Sequence, residues 1–398
     1  MDKLDQILQK YVALGDDTKH RILGVAFIVT DKNTNRKDVL YKGEAGRVGR
    51  AVDSADFTIS SHGWIASMSK IVTTVAVMQI VEKGLIGLDE DTRHLIPELH
   101  GVKILRGDGN NGDAVLQENT DPITIRQLLS HTSGMSYDAI DPDIQKWSQS
   151  TGRTASTLDQ TREGWNTPLR FQPGESWLYG SGIDWAGQIL EVLTGQTLGD
   201  YMSKNIFTPL NMTDTTFRRQ KMGQSLKDRV IECCYRNADG ALTSGPFPVS
   251  ENPPLDSGGS GLFSTAQDYI KFLRALLAAG EGQSELLCKN TVDEMFRPQL
   301  NERQSEVLKA LLRGALPFSG DIEVNHGLSG AINIVDADGK RRKGSMTWGG
   351  MSNPHWWVDR ESGIAAVLLV NLLPTGDQTV MRLYDELEKT VYANLLKR

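Results

Sequence analysis

Cysteine is scarce: Cys233, Cys234 and Cys288 are all there is in 398 residues. An odd count, with two of the three adjacent, gives no disulfide framework, and the simplest setting is a reducing, cytoplasmic one. Long apolar runs are missing as well, so no bilayer span is expected. The opening residues place Leu4, Ile7, Leu8, Tyr11 and Val12 at helical spacing among charged and amide side chains. That pattern is an amphipathic surface helix, not a secretion signal. Positive charge is not in excess: 43 Lys and Arg stand against 50 Asp and Glu, a net −7. A nucleic-acid partner is therefore not expected, and the run Arg341-Arg342-Lys343 is too short to reverse that. The seven histidines form no HxxxH or other tight pair, so no metal is expected. The P-loop and GxSxG are absent, which leaves nucleotide and nucleophile-elbow readings without support, and no cofactor is implied.

Glycine is plentiful, 39 residues against a usual share of roughly 7%. It gathers beside Tyr179, at Gly258 to Gly261 and at Gly349-Gly350, and the expectation is that backbone approaches a substrate there. Ile22 to Thr30 reads as a buried strand, Asp31 to Arg36 as a turn and Asp38 to Gly43 as the second strand of a hairpin. Ser67 to Lys83 is apolar nearly all round, hence a central buried helix, closed by Gly84. Residues 89–254 read as a mainly helical, loop-rich stretch, with a long loop at Arg106 to Pro122 and helices at Ile125 to His131 and Asp184 to Thr194. Ser264 to Gln267 reads as a capping box opening a helix to Ala279. Leu328–Val335, Gly344–Trp348, His355–Asp359 and Ile364–Asn371 suit an antiparallel meander, and Asp377 to Leu396 a final amphipathic helix. The fold class is α/β: an antiparallel sheet flanked by helices, built from 1–88 and 255–398, with 89–254 as an inserted helical domain.

Ser67-Met68-Ser69-Lys70 is the sole Ser-x-x-Lys. On a helix, i and i+3 share a face, so the Lys70 amine can reach the Ser67 hydroxyl. A serine becomes a nucleophile only beside a base, and burial at a helix N-terminus disfavours a charged ammonium. The ordinary alternative is a capping serine and a lysine reaching solvent. Tyr179-Gly180-Ser181-Gly182 offers a phenol on a glycine-flanked loop, as acid or base or as a plain turn residue. Trp348-Gly349-Gly350-Met351 ends a strand, where a backbone N–H can face a developing oxyanion or simply form a bulge.

In this order, the three elements resemble the serine β-lactamase and penicillin-binding-protein superfamily, in its class C-like esterase and transesterase branch. Thr124-Ile-Arg-Gln-Leu-Leu-Ser-His-Thr-Ser-Gly-Met, Phe171-Gln-Pro-Gly-Glu-Ser-Trp-Leu-Tyr-Gly, Gly258-Gly-Ser-Gly-Leu-Phe-Ser-Thr-Ala-Gln-Asp-Tyr and Arg341-Arg-Lys-Gly-Ser-Met-Thr-Trp-Gly-Gly extend the likeness. Fungal side-chain acyltransferases of the lovastatin type are the most similar group. The resemblance implies Ser67 as acylated nucleophile, Lys70 as its proton partner and Tyr179 as general base and acid. It also implies an oxyanion hole from the backbone N–H groups of Ser67 and Met351. His131 would be structural, and Asp184 and Trp185 packing residues. Where β-lactamases carry Lys-Thr-Gly, this chain has Trp348; Lys343-Gly344-Ser345 is a decoy at the strand start. A cation is replaced by an aromatic wall, which favours an apolar acyl or alcohol group over a β-lactam. Ser181 stands where the family has the Asn of Tyr-x-Asn.

Trp348, Gly349, Gly350 and Ser181 are therefore the expected substrate-binding residues. Trp64, Tyr137, Trp177, Trp356 and Trp357 read as pocket wall or core, with no assignment. The expected function is a serine acyl-enzyme hydrolase or transesterase of secondary metabolism. Its donor would be an ester or thioester of a small apolar acyl group, and its acceptor water, an alcohol or an amine, including one within the substrate itself (a cyclisation). An acyl-carrier protein is among the donors left open. The alternatives are a non-catalytic binding protein of the same fold, or a true β-lactamase or peptidase.

Overall fold

A computed structural model describes residues 2–33, 38–108, 114–315 and 323–396. Seven strands form the main sheet: β1 (Gly24–Asp31), β2 (Tyr41–Gly46), β3 (Val324–His326), β4 (Ala331–Asn333), β5 (Met346–Gly349), β6 (His355–Asp359) and β7 (Ile364–Leu369). Their spatial order is β2-β1-β7-β6-β5-β4-β3, every neighbouring pair antiparallel. The first and last strands of this sheet in chain order thus pair, with Ala26 opposite Leu369.

Apart from edge strand β2, whose Lys42 and Glu44 are exposed, the sheet is buried on both faces, and the period-two alternation divides its side chains between two cores. Val25, Phe27 and Val29, with Trp357, Ala366 and Leu368, face α1 (Asp2–Tyr11) and the final helix. Ala26 and Ile28, with Trp356, Val358, Ala365 and Val367, join the larger core containing the central helix α2 (Ser69–Glu82). Leu4 and Leu8 of α1 are buried, and its Lys10 pairs with Glu386 at 2.8 Å, so the amphipathic face found in the sequence holds the two chain ends together. Helix α2 is buried along almost its whole length, and Gly84 follows it at φ +69°, the left-handed conformation glycine allows at a helix end. Each such buried Val, Ile or Leu contributes roughly 1.5–3 kcal/mol relative to exposure.

Three further helices bear on the site: α3 (Ile125–Ser130), α4 (Gly182–Thr194) and α5 (Ala266–Ala279). Thr124 caps α3 reciprocally with Gln127, and His131 ends it at φ +61°. Helix α6 (Glu302–Ala315) carries one cavity wall, and α7 (Gln378–Asn394) buries Val380, Leu383, Leu387 and Val391.

The structure departs from the sequence expectations in definite places. The hairpin's second strand starts at Tyr41, not Asp38, and the turn before it runs into 34–37, outside the described residues. The stretch read as a loop at Arg106–Pro122 instead belongs to a hairpin, Lys103–Asp108 with Ala114–Glu118, whose tip at 109–113 is also outside them. Helix α5 is capped by Thr265, which accepts from the Asp268 N–H. Ser264 sits one residue earlier, in a short strand, sharing a hydrogen bond with Thr215. The expected strand Leu328–Val335 shrinks to Ala331–Asn333, because the Leu328 and Ser329 N–H groups bond to Met295 and Leu129 instead of to the sheet.

All seven sheet strands come from 1–88 and 255–398, which supports a division of the chain there, and we propose 89–254 as the insertion. That segment is not purely helical: Cys233–Arg236 pairs with Leu242–Gly245 and, in parallel, with Leu372–Leu373.

Candidate active site

Residues His62–Trp64 pair antiparallel with Phe263–Thr265, and the Ile65 N–H continues the ladder to the Leu262 carbonyl at 3.1 Å. This fixes two segments side by side: the turn that opens α2 and the glycine-rich run before Leu262. Ala66 then reverses direction at φ +46°, a left-handed conformation that costs a non-glycine residue about 1 kcal/mol or more. Ser67 follows in a single 3-10 turn, Ala66–Met68, and Lys70 lies in the first turn of α2. The i, i+3 spacing has its expected effect: Lys70 Nζ lies 3.2 Å from Ser67 Oγ.

Tyr179 comes from the loop before α4, and its hydroxyl donates to Ser67 Oγ at 2.7 Å. His131 shapes that loop from the end of α3. Its carbonyl accepts the Leu178 N–H, its Nδ1 accepts the Gly180 N–H, and its ring centre lies 4.7 Å from that of Tyr179. Burial holds His131 well below the ordinary imidazole range, so it is a neutral acceptor. Trp348 donates its indole N–H to the Tyr179 hydroxyl at 3.3 Å. The aromatic that replaces a cation in the sequence pattern therefore touches the tyrosine as well as lining the cavity.

Lys70 has three partners within reach. Besides Ser67 they are the Gly259 carbonyl at 2.7 Å and the Tyr137 hydroxyl at 3.1 Å. Tyr137 in turn donates to Asp184 Oδ2 at 3.2 Å. The Asp184 carboxylate also accepts from Ser257 Oγ at 2.5 Å and from the Gly259 N–H at 2.9 Å. Burial holds its carboxyl above the usual range, although the Lys70 charge and these donors oppose the rise. Burial, with the Asp184 charge second, also raises the Tyr137 phenol well above its ordinary value.

Asp184 is a correction to its expected packing role, and Tyr137 gains a place that its sequence did not assign. The available signal was a single carboxylate in the otherwise apolar, small-residue start of α4, Gly-Ile-Asp-Trp-Ala-Gly. Trp185 is buried in the core as expected, as are Trp177 and Trp356, while Trp357 packs on the opposite side of the sheet.

Above Ser67 opens a cavity of about 310 Å³. Its walls include Trp64, Tyr137, Ile140, Leu158, Leu311, Leu312, Trp348, Gly349, Gly350 and Met351, and no Asp, Glu, Lys or Arg is among its described lining residues. Ser181 is not there. It is fully buried at the start of α4, which overturns its expected substrate contact: the chain enters the helix there with the side chain turned into protein.

The glycines also act differently from expectation. A Cβ at Gly180 would overlap the Met135 carbonyl, one at Gly259 the Asp184 carboxylate, and one at Gly350 would lie 2.6 Å from the Ile65 carbonyl. The empty side faces protein, so these positions let the segments around Ser67 close on one another. Gly349 and Gly350 nevertheless border the cavity. Met351 follows at the apex of a turn in which the Gly350 N–H donates to Pro354 and the Asn353 N–H to Gly350. Asn353 holds this turn at φ +65°, its side chain bonded to Leu372, Pro374 and Gly376. The decoy Lys343-Gly344-Ser345 lies outside the cavity lining, with the Lys343 N–H bonded to Asp336.

A sequence model described as beta-lactamase matches residues 4–389. The chain belongs to the beta-lactamase family. Within that family it is 34% identical over 329 residues to the lovastatin esterase of Penicillium rubens, covering 80% of this chain and 81% of the esterase. It is 33% identical over 338 residues to the monacolin J acid methylbutanoyltransferase of Aspergillus terreus, covering 83% and 81%. The unliganded simvastatin synthase of Aspergillus terreus superposes with a TM-score of 0.87 at 29% identity, covering 100% of this chain and 99% of that one. The beta-lactamase fold, with its antiparallel sheet and flanking helices, is thus common to this chain and to enzymes named as esterase and acyltransferase.

Proposed function

We propose that the protein is a serine esterase and acyltransferase that works through an acyl-enzyme on Ser67. One observation carries this: Ser67 Oγ sits between Lys70 Nζ at 3.2 Å and Tyr179 OH at 2.7 Å, facing an apolar cavity. In the first half-reaction the Ser67 proton passes to the amine form of Lys70 while Oγ bonds to the acyl carbon. The bond from that carbon to the leaving oxygen or sulfur breaks, and the Tyr179 phenol protonates the leaving group. Tyr179 is then a phenolate, with the Lys70 ammonium nitrogen 4.7 Å from its ring centre and the Trp348 N–H on its oxygen. In the second half the phenolate takes the acceptor's proton, the acceptor attacks, and Ser67 leaves and recovers its proton from Lys70. Backbone N–H groups of Ser67 and Met351 hold the oxyanion in both halves, a role worth about 3–4 kcal/mol per donor.

Among the described residues the cavity lining carries no charged side chain, which supports a neutral, apolar acyl group from an ester or thioester, delivered free or on an acyl-carrier protein. The likeness to enzymes named for lovastatin and monacolin J supports ester chemistry of secondary metabolism, with water, an alcohol or an amine as acceptor. An acceptor within the acyl donor makes the product cyclic. Three free cysteines support a cytoplasmic setting, and among the described residues no helix is long and apolar enough to cross a membrane.

The test is turnover of p-nitrophenyl butyrate together with labelling by a fluorophosphonate. Wild type should show both, Ser67→Ala neither, and added alcohols should divert product from acid to ester. A wild-type protein that is neither turned over nor labelled at Ser67 is a binding protein. Near-normal turnover by Tyr179→Phe removes Tyr179 from the proton path.

A further inference from the structure

A neutral lysine amine has one lone pair, and the Lys70 nitrogen lies within reach of two hydroxyls, Ser67 at 3.2 Å and Tyr137 at 3.1 Å. If Tyr137 directed its proton at Nζ, it would occupy the lone pair that must take the Ser67 proton. We propose that Asp184 is a positioning residue that reserves the Lys70 lone pair for Ser67 by claiming the Tyr137 proton for itself. This rests on the acyl-enzyme reading above and names a residue beyond the serine, lysine and tyrosine.

The geometry supports it from each side. Asp184 is buried to 1% exposure, and its two oxygens receive Tyr137, Ser257 and the Gly259 N–H, a set of donors only, as an acceptor-only carboxylate requires. With its proton drawn to Asp184, the Tyr137 oxygen faces Lys70 as an acceptor. The Gly259 carbonyl is a second acceptor at 2.7 Å, on the same residue whose N–H is bound to Asp184. Both N–H bonds of the amine are thereby taken by Tyr137 and Gly259, and the lone pair points at Ser67. Burial keeps Tyr137 a phenol, so it supplies a proton to be directed, not a charge.

The titratable groups facing Lys70 are Tyr137 from the loop after α3, Tyr179 from the loop before α4, Asp184 from α4 and neutral His131 from the end of α3. Asp184 is the acid among them.

An amide at 184 can accept from Ser257 and Gly259 but must donate to Tyr137, turning the phenol proton back onto Lys70. Asp184→Asn should therefore lower kcat on p-nitrophenyl butyrate at least about tenfold and leave KM within about twofold. Adding Tyr137→Phe removes the competing hydroxyl, so Asp184→Asn/Tyr137→Phe should recover most of the lost kcat, and Tyr137→Phe alone should lose less than Asp184→Asn. A merely structural carboxylate predicts a double variant worse than either single. A further loss in the double variant overturns the proposal. If Asp184→Asn does not fold, Tyr137→Phe decides alone: a loss as large as that of Tyr179→Phe makes Tyr137 a proton carrier in its own right and overturns it. Wild-type turnover and Ser67 labelling stand apart from all of these, so failure of the acyl-enzyme reading is read separately.

Discussion

A missing Cβ does as much at this site as a functional group. Gly259 lets the Asp184 carboxylate and the Tyr137 hydroxyl approach the backbone that also holds Lys70. Gly259→Ala should accordingly cost activity through Lys70 and Asp184 together. We expect at least a tenfold fall in kcat, with a lowered melting temperature by circular dichroism, and an unchanged enzyme would show that the turn relaxes without consequence. Trp348 makes a gentler probe. Trp348→Phe keeps an aromatic wall but removes the N–H on Tyr179, so kcat should fall more than KM rises; a pure rise in KM would limit Trp348 to binding substrate. The spacing of Ser67 and Lys70 was legible because one helical turn settles it, and their 3.2 Å separation follows. Asp184 was not legible, because what distinguishes it is three donors from other segments converging on it in space.

Short elements, more than long ones, set the geometry around Ser67. The turn 350–354 carries Met351, and its shape depends on Asn353, whose side chain ties it to 372–376. Asn353→Ala should loosen Met351 and lower kcat on neutral esters by about 10–100-fold with little change in KM; equal changes in both would mean the turn serves substrate binding instead. Helix α6 offers a different test, since Leu311 and Leu312 wall a cavity with no charge among its described lining residues. Wild type should prefer a butyrate ester over a hemisuccinate ester of the same alcohol by at least tenfold, and Leu311→Arg should narrow that ratio. Equal rates on the two esters in wild type would refute the neutral acyl pocket. The long helices α2, α5 and α7 were legible, since an apolar pattern over four turns outweighs local irregularity, while α6 was not read from the sequence. Strand ends were not: the expected strand at Gly344 starts only at Met346, because Gly344 turns at φ +82° and Ser345 Oγ bonds back to Arg342. The expected cap at Ser264 belonged to Thr265, since both residues fit the motif and only the strand pairing of Phe263–Thr265 chooses between them.

Across the whole molecule, four buried histidines impose a common pH dependence. Burial pushes His62 and His326 down to about 4 and His355 to about 3, and holds His131 well below its ordinary value. The folded protein keeps all four neutral, while an unfolded chain protonates them near the ordinary 6.5. Their contribution to stability is complete above that value and is lost as pH falls toward 3–4. Each contributes up to about 1.4 kcal/mol per pH unit within that window. Denaturant midpoints should thus fall steeply between about pH 6.5 and pH 5, and His62→Gln should flatten the slope; a flat profile would mean that the rings reach water. The general architecture, an antiparallel sheet between helical layers, was legible from alternating strands at both ends of the chain and a helical texture between them. The same arrangement constrains how the molecule is made. Because Ala26 pairs with Leu369, the first strand leaves the ribosome with the edge meant for its last-made neighbour uncovered, and nearly the whole chain must emerge before the sheet can close. Until then its apolar faces are open to chaperones and to other nascent chains, so yield in a heterologous host should respond to chaperone supply before it responds to anything at the active site.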